Sequence, residues 1–191
     1  MKTTKEYRME AKAAMKGNWG MGIALFLVFG LIYCAATGTL IGAILLDGAL
    51  MVGVAYAMVQ LFRRGNLELG DLFYGFQGPK FSATIGLAIK TGIFTFLWSL
   101  LFCIPGIVAT FSYSMAPYIL ADHPEMTGGQ AITASKNLMK GKKGKLFCLQ
   151  LSFIGWILLS CLTFGIGFLW VGPWMSAATA AFYESIKDEV Q

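Results

Sequence analysis

Residues Trp19–Ala36 read WGMGIALFLVFGLIYCAA, eighteen consecutive positions without a charged side chain. At 1.5 Å per residue a helix of that length covers about 27 Å, close to the ~30 Å hydrocarbon core of a bilayer. The residues before it are of the opposite kind, with Lys2, Lys5, Arg8, Lys12 and Lys16 spaced through the first eighteen positions. A cleaved leader starts in a similar way, but this basic region is long for one and further apolar runs follow, so the run reads as a retained span.

Five more apolar runs follow, at 45–62, 83–104, 105–121, 146–164 and 167–183. Each is about long enough to cross a bilayer as a helix. The third and fourth runs meet at Ile104-Pro105-Gly106 and the fifth and sixth at Gly165-Ile166-Gly167, where proline and glycine predict tight turns. The expected fold class is therefore all-α, a polytopic transmembrane helical bundle of about six spans with short interfacial amphipathic helices on the cytoplasmic side. All of 1–191 reads as one integral membrane domain, with 1–18 a basic cytoplasmic segment and 122–145 a basic cytoplasmic loop. Composition agrees: 57% of the residues are hydrophobic and only 13% charged, against roughly 25% charged in a soluble domain.

Basic residues set the orientation, because cytoplasmic loops collect Lys and Arg. Arg63, Arg64 and Lys80 follow the second run, Lys136, Lys140, Lys142, Lys143 and Lys145 precede the fifth, and Lys187 follows the sixth. An even number of spans puts all of them on one side, with both termini cytoplasmic, as in a multi-pass protein of a bacterial cytoplasmic membrane. The formal charge of +5 sits at the flanks of apolar runs instead of on one basic face, which argues against nucleic acid. The expected partners are membrane lipids, anionic ones above all, and a membrane protein or a second copy of the chain. Lys16, Lys136, Lys140, Lys142, Lys143 and Lys145 are the candidate headgroup contacts.

Chemistry has few places to reside. The four cysteines, Cys34, Cys103, Cys148 and Cys161, stand singly in apolar runs and read as buried small hydrophobes. Asp122-His123-Pro124-Glu125 holds the only histidine; an aspartate cap followed by proline and glutamate reads as a helix start. No catalytic, cofactor or metal site is expected. Asp47 and Lys90 are the ionisable residues inside spans; counted from the inner helix ends they stand about 22 Å and about 10 Å up, too far apart to pair. A scaffold or accessory subunit is the first functional expectation. A small transporter lined by residues such as Thr110, Ser112, Ser114 and Ser152 is the alternative, and an intramembrane enzyme comes last.

One internal echo stands out. Met15-Lys16-Gly17-Asn18-Trp19-Gly20 matches Met139-Lys140-Gly141-Lys142-Lys143-Gly144 at four positions of six, and each follows a stretch of helical character. Both predict an interfacial helix that feeds a span through a glycine break. Together with Leu97-Trp98, Ile104-Pro105-Gly106-Ile107, Tyr113-Ser114-Met115-Ala116, Tyr118-Ile119-Leu120-Ala121-Asp122 and Thr163-Phe164-Gly165-Ile166-Gly167, this pattern resembles an uncharacterised family of small integral membrane proteins common in Gram-positive bacteria. That family is catalogued only as a domain of unknown function, so the resemblance implies a bacterial membrane location and no reaction.

Overall fold

The computed structural model describes residues 2–36, 40–77, 80–101, 103–163 and 165–189; the side chains of some helical residues, Asp47 and Trp98 among them, lie outside that description. The described elements are all helical. They are α1 (Thr4–Ala14), α2 (Trp19–Ala36), α3 (Leu40–Arg64), a 3-10 helix (Leu69–Phe76), α4 (Lys80–Leu101), α5 (Cys103–Tyr113), α6 (Ala116–Asp122), α7 (Gly128–Leu138), α8 (Lys143–Leu151), α9 (Ile154–Leu162), α10 (Phe168–Glu184) and a last turn at Lys187–Glu189.

Helix α3 is the hub, touching α2, α4, α6, α10 and the 3-10 helix. Its inner face is built from small residues, with Gly48, Ala49, Gly53, Ala55 and Ala57 among those buried. Small side chains let backbones approach. A Cβ at Gly53 would strike the backbone of Leu72, one at Gly75 the backbone of Ala49, and one at Gly48 would stand 2.6 Å from Ala88 Cβ and Thr84 O. The 3-10 helix therefore runs back along α3 and α4 crosses it at Gly48.

Among the described residues, one stretch is both long and apolar enough to cross a membrane unaided: Lys143–Leu162, where α8 runs into α9, with 20 residues at mean hydropathy 1.8. A second stretch, Thr4–Ala14 with Trp19–Ala35, qualifies only as a pair bent by 97°. The described residues thus form an all-helical bundle with one helix, or two if the bent pair counts as one, long and apolar enough to cross a membrane.

Pro105 lies in the first turn of α5, a position that tolerates its missing N–H, and the Phe94 and Tyr113 rings meet at 6.4 Å, so α4 and α5 fold back on each other as Ile104-Pro105-Gly106 predicts. Several other local expectations change. The run 105–121 breaks after Tyr113, and Pro117 sits in the opening turn of α6. Asp122 ends α6 instead of starting a helix; α7 is capped by Thr127, whose side chain accepts from Gln130 N while the Gln130 side chain accepts from Thr127 N. Asp47 lies inside α3 and not at its end. Because its neighbour Gly48 meets Ala88, two residues before Lys90, the difference in height expected for Asp47 and Lys90 does not hold at this crossing. Cys34, Cys148 and Cys161 are exposed, not buried.

Candidate functional site

The repeated Met-Lys-Gly segments fold into two copies of one elbow. Helices α1 and α7 each span 11 residues, and each begins in a reciprocal cap, Thr3 with Glu6 and Thr127 with Gln130. Each ends on a fully buried methionine, Met15 or Met139, whose N–H bonds Ala11 O or Ser135 O at 2.9 Å. An exposed lysine follows, Lys16 or Lys140, then a glycine in the left-handed region, Gly17 at φ 92° or Gly141 at φ 72°. Only glycine enters that region without steric cost. The amide of the next residue returns to the methionine carbonyl, Asn18 at 2.9 Å and Lys142 at 3.2 Å. With Thr3 set on Thr127 and Gly17 on Gly141, six of the eighteen residues from Thr3 to Gly20 are identical to their counterparts. The burial register continues into the following helix, where Leu25 and its counterpart Leu149 are both buried.

The first elbow is fastened to the end of α3 by Asn18 Nδ2, which donates to Gly65 O at 2.9 Å. Beside it lies an ionic cluster joining three helix ends. Asp122 Oδ2 accepts from Arg63 Nη2 at 2.7 Å and from Tyr183 OH at 2.9 Å, while Glu184 accepts from Arg63 Nε at 3.0 Å and pairs with Lys187 at 2.6 Å. Partial burial alone would lower the Arg63 pKa, but the hydrogen bond and charge of Asp122, with those of Glu184, outweigh it and raise the pKa above the usual arginine value. Asp71, on the 3-10 helix, is pushed up by partial burial, an effect Arg64 opposes and Glu68 reinforces.

The candidate lysines do not form one uniform surface. Lys16 and Lys140 are exposed at the elbows, and Lys142 and Lys143 are half-buried. Lys136 folds onto two rings, its Nζ 5.4 Å from the Phe94 centroid and 5.3 Å from that of Tyr113. Lys145 is exposed on α8. Lys90 reaches across to α7, where a Cβ on Gly129 would stand 2.7 Å from its Nζ. The Asp47 side chain is outside the description. The hydroxyls of Thr110, Ser112, Ser114 and Ser152 bond carbonyls of Gly106, Val108, Phe111 and Leu149, three or four residues back in the chain.

Sequence reasoning missed Arg8 as a site residue. Its guanidinium carbon lies 5.2 Å from the Phe153 ring and 5.3 Å from the Trp174 ring, its Nη1 donates to Ser152 O at 3.2 Å, and its own carbonyl accepts from Trp174 Nε1 at 3.0 Å. The one available signal was helical spacing, since Lys5, Arg8 and Lys12 share a flank of α1.

Residues 1–110 and 100–190 match the family model described as protein of unknown function (DUF975). The chain belongs to that family. No curated protein and no solved structure matches it. Membership of DUF975 accounts for the resemblance drawn from the sequence.

Proposed function

We infer that this chain is an integral membrane protein with six crossings and both ends in the cytoplasm, a non-enzymatic scaffold or accessory subunit whose basic elbows contact anionic lipid. The observation that carries the reading is an inverted distribution of side-chain size. Along α9, Leu158, Leu159 and Leu162 are 65, 52 and 78% exposed while Ser160 is 2% exposed. On α10, Phe168 and Trp170 at the start are exposed while Ala177, Ala178, Ala180 and Ala181 are buried, and its large residues Phe182 and Tyr183 are buried only at the far end. A water-soluble helix buries its large apolar residues; a helix in lipid packs through its small ones and turns the large ones outward. The 97° bend between α1 and α2 supports the same reading, since it suits a helix lying in the interface before one that crosses.

The crossings are α2, α3, α4, the broken pair α5 and α6, the pair α8 and α9, and α10. The serine and threonine hydroxyls bonded to nearby carbonyls favour a scaffold over a transport path. Topology reporters fused after Gly65 and Gly141 should read cytoplasmic and one fused after Gly165 external; a cytoplasmic reading at Gly165 overturns the six crossings. After alkaline carbonate extraction the chain should stay with the membrane, and release into solution overturns the integral reading. In detergent, anionic lipid should raise the melting temperature more than neutral lipid, and Lys16→Gln, Lys140→Gln and Lys143→Gln together should reduce that gain, each charge being worth about 1 kcal/mol near an anionic surface.

A further inference from the structure

Among the described residues, Arg8 is a cation held without an anion. Among the described residues no carboxylate lies within ion-pair distance, its one hydrogen bond goes to the Ser152 carbonyl, and its Nε is buried with no partner. The acids of its own helix are turned away and occupied. Glu10 pairs with Lys2 at 2.7 Å and Glu6 accepts from Thr3 N, and by the 100° helical step both lie on the flank opposite Arg8. Lys5 and Lys12, one turn to either side of Arg8, are exposed.

The surroundings have the shape of an interface. Phe153 and Trp174 meet edge to face at 5.0 Å, Trp156 meets Trp174 at 5.5 Å, and Arg8 lies against the faces of the first two. Aromatic faces hold a guanidinium while leaving its edge N–H groups available, and a planar guanidinium matches two phosphate oxygens at once. Leu151, Ile154 and Trp156, flanking this point on α8 and α9, are 48, 52 and 43% exposed. A guanidinium held on two aromatic rings, with its Nη1 bonded to the Ser152 carbonyl and no carboxylate beside it among the described residues, thus adjoins an apolar strip.

We propose that Arg8, seated on Phe153 and Trp174, is a binding site for one anionic phospholipid, its phosphate on the guanidinium and its acyl chains along the exposed face of α8 and α9. The proposal rests on the membrane reading and names the ligand class within it. It differs from a general attraction to the elbow lysines in being a single stoichiometric site.

The test is native mass spectrometry of the full chain released from detergent after incubation with phosphatidylglycerol or phosphatidylcholine. The wild type should retain one phosphatidylglycerol at about fivefold lower concentration than phosphatidylcholine. Arg8→Gln should abolish that preference and Arg8→Lys should keep part of it; an Arg8→Gln protein that still prefers phosphatidylglycerol overturns the site. Inorganic phosphate at millimolar concentration should not displace the lipid; displacement would show that free phosphate is the ligand and overturn the lipid assignment. Equal retention of the two lipids by the wild type overturns the site even if Arg8→Gln fails to fold. Release from membranes by carbonate is the separate result that removes the membrane reading itself.

Discussion

The two elbows predict opposite responses from glycines three residues apart. At Gly17 and Gly141 a new Cβ meets nothing within 4 Å, but φ of 92° and 72° puts any L-residue in the left-handed region. That conformation costs about 1–2 kcal/mol, offset in part by the ~0.5 kcal/mol that alanine contributes by stiffening the unfolded chain. Gly17→Ala and Gly141→Ala should therefore each destabilise by about 1 kcal/mol, a fall of about 2–4 °C in melting temperature for a chain of this size. Gly20 and Gly144 also have open space around a Cβ, but they lie in the first turns of α2 and α8. Alanine there removes a poor helix former, and Gly20→Ala and Gly144→Ala should raise the melting temperature by about 1–2 °C. The assay is thermal unfolding of the four variants in one detergent, followed by tryptophan fluorescence. If Gly17→Ala proved neutral, or Gly20→Ala proved the more damaging of the two, the elbow geometry would be wrong.

Two further outcomes follow from the ionic groups. Asp122→Asn should cost about 1–2 kcal/mol, because it weakens the bonds to Arg63 and Tyr183 while Arg63 stays partly solvated; a double-mutant cycle with Arg63→Gln should show coupling, and purely additive effects would mean the pair contributes nothing. For Asp71 the folded pKa is raised above the unfolded one, so its protonated form favours folding below the usual carboxylate range and that contribution is lost as pH rises through the folded pKa. Asp71→Asn should accordingly be more stable than wild type at neutral pH and lose that advantage in acid, and a pH-independent difference between their melting curves would refute the assignment.

How far the sequence could be read depended on the distance over which each signal acts. The start of the first long helix was legible to the residue, because Trp19 follows a glycine elbow and opens a run of local apolarity. The elbow itself was visible as a repeated string, although its left-handed glycines and matching caps emerge only from the backbone. Pro105 was legible because proline is acceptable in the first turn of a helix, and the packing of Phe94 on Tyr113 bears out the reversal beside it. Asp122, by contrast, misled. It looks like a cap beside Pro124 and Glu125, yet it is claimed by Arg63 and Tyr183, 59 and 61 residues away. The Arg8 cradle was illegible for the same reason, since Phe153 and Trp174 come from the far end of the chain.

The repeated units are not independent modules, and their cations show why. Arg8 belongs to the first elbow's helix but sits on Phe153 and Trp174, which belong to the break between α8 and α9 and to α10. Lys136 belongs to the second elbow's helix but sits on Phe94 of α4 and Tyr113 of α5. Tyr7 repeats the crossing, its hydroxyl 2.7 Å from Ser185 Oγ and its ring edge-on to Phe182 at 5.5 Å. Each elbow helix thus docks on helices from elsewhere in the chain instead of lying along the helix it feeds. Separating the two halves would leave Tyr7, Met15, Ile132 and Leu138, all buried in the intact fold, without much of the surface that covers them. Exposing such side chains costs about 1.5–3 kcal/mol apiece, so each elbow depends on the helices outside it that cover its buried face.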